Sequence, residues 1–162
     1  YFENNFTDLI DFAAGQFQNV GQARTQGVET GVTWKPVDVV EVSANYTYLR
    51  SRDEQTRDDL IRRPRHKFSV DVTYKATDKL RLTAGVGFVG GSDDLVWDNA
   101  TFTTRRVRLA KYATWRFGAE YDLCENLTLF GNVNNAFNEQ YEEVSGYGTP
   151  GCSVYGGAKL KF

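Results

Sequence analysis

Several features that mark common classes of enzyme and binding protein are scarce or missing in this sequence. Its 162 residues include one histidine, two cysteines, three prolines and no methionine. A single histidine, His66, excludes His-based catalytic triads and metal sites built from several histidines. Cys124 and Cys152 are too few for a disulfide scaffold. We therefore predict that the protein is not an enzyme and has no catalytic residue, resident metal or cofactor.

Charges and apolar residues also occur without long runs of one kind. The 19 Lys and Arg residues oppose 21 Asp and Glu residues, which gives a net charge of −2. The basic excess of nucleic-acid-binding proteins is missing, so no nucleic acid is predicted as a partner. No run of about 18 apolar residues occurs, which excludes a transmembrane helix. The N-terminal residues lack the charged and apolar regions of a signal peptide, and we expect a mature protein or an internal-to-C-terminal part of a longer one.

What the sequence does contain is alternation of apolar and polar residues with a period of two, which is typical of β-strands. In residues 40–48, for example, Val42 and Tyr46 alternate with Ser43 and Asn45. The same pattern occurs at residues 28–34, 68–74, 80–88, 113–123, 127–133 and 154–162, and less regularly at residues 1–12. These segments are near the roughly 9–11 residues with which a tilted strand crosses a bilayer. The prediction is an all-β protein of about eight strands in an antiparallel up-and-down β-barrel.

The predicted connections alternate in length. Short turns occupy residues 35–39, 76–79 and 123–126, and long polar segments occupy residues 13–23, 51–65, 90–111 and 136–151. Successive connections of a meander lie at opposite ends, so all long loops lie at one rim, as in outer-membrane barrels. Cys124 and Cys152 then lie at opposite rims, roughly 30 Å apart at about 3.3 Å per residue. We predict two free thiols, because a disulfide needs a Cα separation below about 7 Å.

The alternation alone does not decide which way the apolar residues point. A soluble lipocalin-like barrel places them inside, whereas a membrane barrel places them toward lipid. Aromatic residues such as Trp34 and Trp115 lie near the ends of the apolar stripes, as interfacial girdles do. Charges such as Arg81 and Glu120 lie on the opposite face. We therefore predict a transmembrane β-barrel, with the soluble barrel as the alternative.

The C-terminal residues Tyr155, Gly157, Leu160 and Phe162 resemble the assembly signal of bacterial outer-membrane proteins. Five further segments, in order along the whole chain, resemble TonB-dependent outer-membrane receptors, in particular members similar to the cobalamin (vitamin B12) receptor. They are NVGQARTQGVE at 19–29, VSANYTYL at 42–49, RRPRH at 62–66, NVNNAFNEQYE at 132–142 and GYGTPG at 146–151.

This resemblance implies a location in the bacterial outer membrane. Barrels of the family have 22 strands and a plug, so residues 1–162 would form the last eight strands, without the plug. The implied partners are outer-membrane lipid and lipopolysaccharide, the plug and the remaining strands, TonB through the absent plug, and the barrel-assembly machinery.

The implied function is a part in TonB-dependent uptake of a large scarce ligand, either cobalamin or an iron-siderophore. The alternative is a stand-alone eight-stranded outer-membrane barrel with a structural or adhesive role. Whether eight strands close into a small barrel by themselves is a further hypothesis.

The resemblance also implies ligand-binding residues at the long-loop rim. Arg62 and Tyr147 match family positions, and Trp97 stands where the family often has another aromatic residue. A guanidinium group and aromatic faces suit a large amphipathic ligand. Cys152 stands where the last loop of the family usually has Arg, which puts one loop contact in doubt.

Two further interpretations of the long loops stay open. Asp93, Asp94 and Asp98 offer oxygen ligands to Ca²⁺, although their spacing departs from an EF-hand loop. Residues 51–65 contain five arginines among four acidic residues. This mixture indicates a salt-bridged loop, and contact with lipopolysaccharide phosphates is the alternative.

Overall fold

The computed structural model of the chain describes residues 1–7, 10–13, 16–19 and 21–162. All regular elements in this part of the chain are β-strands, and no helix in it is long and apolar enough to cross a membrane. The strands are β1 (Phe2–Phe6), β2 (Ile10–Ala13), β3 (Gln16–Asn19), β4 (Ala23–Val37), β5 (Val40–Asp53), β6 (His66–Lys75), β7 (Leu80–Val89), β8 (Ser92–Asp98), β9 (Thr103–Leu109), β10 (Tyr112–Cys124), β11 (Leu127–Asn134), β12 (Glu142–Val144), β13 (Tyr147–Gly148) and β14 (Ser153–Leu160).

Eight of these strands form one sheet in the order β1-β4-β5-β6-β7-β10-β11-β14. All neighbours in the sheet are antiparallel. The other six strands form three hairpins, β2–β3, β8–β9 and β12–β13, which lie within the connections between sheet strands. The arrangement confirms the predicted all-β, antiparallel, up-and-down architecture.

The sequence prediction needs correction mainly near the long loops. The prediction of one strand over residues 1–12 is wrong, because β1 ends at Phe6 and Ile10 begins β2 in a separate hairpin. Residues predicted as loop at 90–111 and 136–151 contain the hairpins β8–β9 and β12–β13. Strands that project beyond the membrane need no apolar face, so alternation does not reveal them.

The alternation of short and long connections agrees with the prediction, although β4 and β10 extend into two of the predicted turns. Two residues join β4 to β5, four join β6 to β7 and two join β10 to β11. The turn before β7 is closed by the Thr77 hydroxyl, which accepts hydrogen bonds from the backbone N–H groups of Lys79 at 3.2 Å and Leu80 at 2.9 Å. The connections at the opposite end of the sheet span residues 7–22, 54–65, 90–111 and 135–152. We call this end the long-loop rim.

The two faces of the sheet differ in chemistry. On the apolar face, side chains are aligned across strands, for example Val72 between Val42 and Ala84. Large apolar side chains of this face are exposed, including Trp34 at 61% and Val154 at 74%. The opposite face, which we call the polar face, carries charged and amide side chains. In a transmembrane barrel, a face of this apolar kind points outward, toward lipid.

The described chain has almost no buried apolar core. Ala23 and Leu109 are the only hydrophobic residues buried in the part of the chain that the structure describes. A soluble barrel would bury its apolar stripe inside, so the soluble alternative is not supported. In the described ladder, β1 and β14 are the two edges and do not pair with each other. The structure is therefore an open sheet, and the hypothesis of closure into a small barrel does not describe it.

Candidate functional site at the long-loop rim

Three long loops meet at Asp94, which is fully buried. Its carboxylate accepts a hydrogen bond from Arg62 Nε at 2.7 Å and one from the backbone N–H of Ser145 at 2.7 Å. A third comes from the N–H of Leu95 at 2.8 Å. Arg62 belongs to the loop before β6, Asp94 to β8 and Ser145 to the last long loop. One side chain therefore ties together three connections that are far apart in sequence.

The charge on Asp94 is stabilised by these contacts. Burial opposes the charged form, but the hydrogen bonds from Ser145, Arg62 and Leu95 outweigh it, and the pKa of Asp94 lies below its usual value. Arg62 is itself fixed, because its backbone N–H donates to the carbonyl of Asp93 at 2.7 Å. Its backbone has a φ of 55°, which lies in the left-handed region. The predicted binding residue Arg62 thus has a defined position, with 43% of its side chain exposed.

A second group of ion pairs surrounds Asp93. Its carboxylate accepts hydrogen bonds from Arg108 Nη1 and Arg106 Nε, both at 2.9 Å. The hydrogen bond from Arg108 contributes most to lowering the pKa of Asp93. Arg106 also donates to the backbone carbonyl of Asp59, and Asp59 pairs with Arg65 at 2.6 Å. The hairpin β8–β9 is thereby fastened to the loop before β6.

These contacts correct the calcium interpretation. The carboxylates of Asp93 and Asp94 accept hydrogen bonds from arginines, and Asp98 accepts one from the backbone N–H of Ala100 at 2.9 Å. In the described residues no group of three or more acidic, His or Cys side chains is arranged to hold a metal ion. The three aspartates do not form a common cation site, because two of them are already neutralised by arginines.

The two predicted aromatic binding residues lie on the hairpins of the same rim. Trp97 is in β8, opposite Thr104 of β9, and is 56% exposed. Tyr147 is in β13 and is 73% exposed. Among the described residues no hydrogen bond or ring contact joins either of them to Arg62. The structure brings Arg62 close to the loop of Tyr147 through Asp94 and Ser145, and it leaves Trp97 as a separate exposed ring.

Below the loops, an aromatic pair that the sequence did not reveal lines the polar face. The rings of Tyr112 and Tyr141 stack with their centroids 3.9 Å apart, and the Tyr112 hydroxyl donates to Glu143 at 2.8 Å. A cavity of about 270 Å³ lies here and includes Lys67 and Tyr112 in its wall. Tyr112 begins β10 and Tyr141 follows β11, so only the folded sheet places the two rings together.

Farther from the loops, the polar face carries ion pairs that cross between strands. Arg116 of β10 donates a hydrogen bond to Asp71 of β6, across the intervening strand β7. The distance from Arg116 Nη2 to Asp71 Oδ2 is 2.6 Å. Gly85 lies between them in the register, and a Cβ there would stand 2.4 Å from Asp71 Oδ1. Glu120 accepts hydrogen bonds from Arg81 at 2.6 Å and Lys159 at 2.5 Å. The polar face thus neutralises these charges within the sheet.

The residues of the predicted assembly signal lie on or just beyond the edge strand β14. Tyr155 and Leu160 face opposite sides and are 56% and 63% exposed. The ring of Phe130 covers Gly157, where a Cβ would stand 2.7 Å from the ring. Phe162 follows the strand. Both cysteines are free, as predicted, with Cys124 at the end of β10 and Cys152 in the last long loop.

Comparison with known proteins identifies the family. Residues 1–136 match the family model described as TonB dependent receptor-like, beta-barrel. The chain belongs to the TonB-dependent receptor β-barrel family. Over 137 residues it is 31% identical to the ferric enterobactin receptor of Pseudomonas aeruginosa, a match that covers 82% of this chain and 18% of that receptor.

Solved structures of TonB-dependent receptors share the fold. The ferripyoverdine receptor of P. aeruginosa aligns with a TM-score of 0.82 and 21% identity, covering 100% of this chain and 24% of that one. The siderophore receptor PirA from Acinetobacter baumannii aligns with a TM-score of 0.80 and 18% identity, covering 99% and 28%. The chain therefore spans less than a third of the length of these relatives, and it has the fold of one part of their barrels.

Proposed function

We propose that this chain is part of an outer-membrane receptor that takes up a ferric siderophore in a TonB-dependent manner. The observation that carries the proposal is the 31% identity over 137 residues to a ferric enterobactin receptor. The relatives named above are receptors for transport, not enzymes, and this agrees with a site that binds and releases its ligand unchanged. Cobalamin, which the sequence motifs also suggested, is the second candidate ligand.

The rim supplies the chemistry that such a ligand needs. Ferric complexes of catecholate siderophores are large, partly aromatic and negatively charged. Trp97 and Tyr147 offer exposed rings for stacking, and Arg62 offers a guanidinium group whose planar donors suit oxygen-rich anions. Below them Lys67 and Tyr112 line a cavity on the polar face. We propose that the ligand first contacts the rim and then moves along this wall.

The unpaired sheet edges support the proposal that other strands complete the barrel. Lipid offers no hydrogen-bonding groups, so the free edges of β1 and β14 must pair with further strands. We propose that residues 1–162 are the C-terminal segment of a 22-stranded barrel and that the full protein also contains the plug. TonB would act through that plug, and the barrel-assembly machinery would recognise Tyr155, Gly157, Leu160 and Phe162. The stand-alone eight-stranded barrel leaves both edges unexplained.

The mass of the intact protein tests the segment proposal. We expect a protein of roughly 65–75 kDa when it is extracted from its native outer membrane without proteolysis, since a plug and about fourteen more strands would add several hundred residues. A mass near 18.3 kDa, that of this chain alone, would instead support the stand-alone barrel.

Ligand titration of the intact receptor tests the proposed function. We expect ferric enterobactin or ferripyoverdine to quench tryptophan fluorescence with submicromolar affinity, and cyanocobalamin not to do so at equal concentration. Uptake of the radiolabelled iron complex should be lost in cells without TonB. If only cyanocobalamin bound, cobalamin would be the ligand in place of a ferric siderophore. If none of these ligands bound, the proposed function would be contradicted.

A further inference from the structure

A group of arginines lies on the apolar face, directly above its aromatic band. Along β5, Tyr46, Tyr48, Arg50 and Arg52 follow one another on the same face. Alternate residues of a strand are about 7 Å apart along the strand. Arg50 therefore lies about 7 Å closer to the long-loop rim than Tyr48 does. Aromatic girdles of membrane proteins lie at the level of the lipid headgroups. The arginines therefore stand at the level of headgroup phosphates, on the side that faces the membrane.

Four arginines surround one cleft at this position. They are Arg24, Arg50, Arg52 and Arg57, and Gln26 and Glu54 complete the walls of the cleft, whose volume is about 180 Å³. We call these four arginines the arginine patch. In the register between β4 and β5, Arg24 stands directly opposite Arg52. Like charges that face each other across two strands are destabilising, and among the described residues a carboxylate, that of Glu3, offsets this charge at Arg24 but not at Arg52.

Among the described residues, most of the patch has no carboxylate partner. Arg24 pairs with Glu3 at 2.6 Å, but no carboxylate lies within 4.0 Å of the other three arginines in the described residues. The Nε atom of Arg52 is buried without a hydrogen-bond partner. Asp53 is adjacent, yet its carboxylate accepts hydrogen bonds from the backbone N–H groups of Gln55 at 2.7 Å and Thr56 at 3.0 Å. It is therefore held by the loop backbone.

A second basic cleft lies beside the same aromatic band. It has a volume of about 600 Å³, and its walls include His66, Phe88, Arg63 and Lys111. His66 belongs to the band, because its ring lies 5.3 Å from that of Tyr48. The side chains of Arg63 and Lys111 form no ion pair with a described residue. The same cleft also contains the ion pairs Arg65–Asp59 and Arg108–Asp93. Arg63 and Lys111 therefore add two cationic side chains without an ion pair, among the described residues, beside the aromatic band.

We propose that the arginine patch binds the phosphate groups of lipid A, the membrane anchor of lipopolysaccharide. Guanidinium groups bind phosphate through paired, charge-assisted hydrogen bonds, and Arg50, Arg52 and Arg57 have no carboxylate within 4.0 Å among the described residues to compete for them. The acyl chains would lie along the apolar face below. The site is separate from the ligand-binding rim, so the inference holds whichever ligand the receptor transports.

The double substitution Arg50→Gln with Arg52→Gln tests the proposal in the intact receptor, refolded without lipopolysaccharide. The dissociation constant for diphosphorylated, hexa-acylated lipid A is measured by native mass spectrometry in detergent micelles. A basic residue near an anionic lipid surface contributes roughly 1 kcal/mol, so losing two should weaken lipid A binding on the order of 30-fold. Siderophore binding should not change, because neither residue belongs to the rim site.

Two control variants keep the test specific. Lys79→Gln with Lys161→Gln removes the same charge from exposed residues at the short-turn end and should leave lipid A binding unchanged. Arg50→Lys with Arg52→Lys keeps the charge and should lose less affinity than the Gln variant. Equal losses in the Lys and Gln variants would point to damage of the strand and would overturn the proposal, as would an unchanged affinity in the Gln variant.

The source of the phosphate is tested with two further probes and the unsubstituted receptor. Lipid A from which both phosphates have been removed should bind at least tenfold more weakly, and equal binding would assign the affinity to the acyl chains. Inorganic pyrophosphate should not compete with lipid A at millimolar concentration. If it displaced lipid A, the patch would be a site for soluble phosphates and the lipid assignment would be wrong.

Discussion

The polar face and the loop-side end of the apolar face both carry arginines, but they neutralise them differently. On the polar face, Arg116 reaches Asp71 across a glycine and Arg81 shares Glu120 with a lysine. On the apolar face, Arg50 and Arg52 have no carboxylate partner among the described residues. The difference follows from what each face meets. A face directed into a barrel must satisfy its own charges, whereas a face at the membrane surface can use the charges of lipid headgroups.

The long-loop rim follows the pattern of the polar face. Asp94 and Asp93 are each held by arginines from the same chain, and this pairing joins loops in which Leu109 is the one buried hydrophobic residue that the structure describes. Charge at the rim and on the polar face is therefore paired internally, whereas Arg50 and Arg52 on the apolar face have no ion pair with any residue that the structure describes. The predictions below disturb one side of this comparison at a time.

The largest effect is expected from a charge placed in the middle of the apolar face. Arginine at Ala119 or Val72 should lower the free energy of unfolding by roughly 2–4 kcal/mol near the bilayer midplane. Arginine at Thr114 or Thr73, on the polar face of the same strands, should have a much smaller effect. Urea unfolding of the intact receptor in lipid vesicles measures both. Equal destabilisation on the two faces would contradict the assignment of the lipid side.

The next effect is expected at the long-loop rim. Asp94→Asn removes a buried charge that three hydrogen bonds stabilise, and we expect a loss of about 1–3 kcal/mol in local stability. Hydrogen exchange at the Ser145 N–H should become faster by at least tenfold. Asp98→Asn is the matched control, because Asp98 lies in the same strand and bonds only within its own turn region. Unchanged exchange in Asp94→Asn would show that the loops do not depend on this contact.

The rim contact should also depend on pH in one direction. The pKa of Asp94 is lowered in the folded protein, so its stabilising contribution is complete above the pKa of an unfolded Asp, about 3.9. The contribution is lost as the pH falls through the lower, folded value. The protection factor of the Ser145 N–H is its exchange rate corrected for the intrinsic rate at each pH. We expect this factor to be constant between pH 5 and 7 and to fall only below about pH 4. A fall between pH 5 and 7 would implicate another group.

A smaller effect is expected on the polar face. Gly85→Ala places a methyl group where a Cβ would stand 2.4 Å from Asp71 Oδ1 and 2.8 Å from Arg116 Nε. The ion pair must shift, and because both side chains are partly exposed the loss should not exceed about 1 kcal/mol. Gly87→Ala is the control on the same strand and face, since a Cβ there would stand 3.9 Å from its nearest neighbour, Thr114 Oγ1. A double-mutant cycle with Arg116→Gln should show that the two effects are coupled.

The smallest effect is expected from reduction of the cysteines. Cys124 and Cys152 are free and exposed, so dithiothreitol should change neither the unfolding midpoint nor the electrophoretic mobility. Peptide mapping without reductant should recover both residues as unlinked thiols. A Cys124–Cys152 crosslink within one molecule would contradict the strand order, because the order places these residues at opposite ends of the sheet.

Most of the sheet could be predicted from the sequence, but its upper part could not. Apolar alternation in β5 ends at Tyr48, yet the strand continues to Asp53. The residues that follow Tyr48 on the apolar face are Arg50 and Arg52. Because they are not apolar, the alternation pattern does not reveal the last part of the strand. The hairpin β8–β9 was missed for the same reason. Its strands show no period-two alternation of apolar and polar residues, as the run Ser92–Asp98 illustrates.

The candidate site was only partly predictable. Arg62, Trp97 and Tyr147 were proposed from resemblance, and their roles in binding remain predictions. Asp94 was considered only as a calcium ligand, because the sequence does not show that Arg62, 32 residues earlier, will be its partner. The stacked pair of Tyr112 and Tyr141 was missed as well. Each of these contacts joins connections that become neighbours only after the strands have paired.

The amino-acid sequence by itself determined most strands of the eight-stranded sheet, their two faces and the rim at which each connection lies. It does so because a strand repeats every two residues and a meander reverses direction at each turn. Only the tertiary structure decided which charges pair with each other among the residues that it describes. That outcome depends on the register between strands and on where the loops meet, and both are set by contacts between residues distant in sequence.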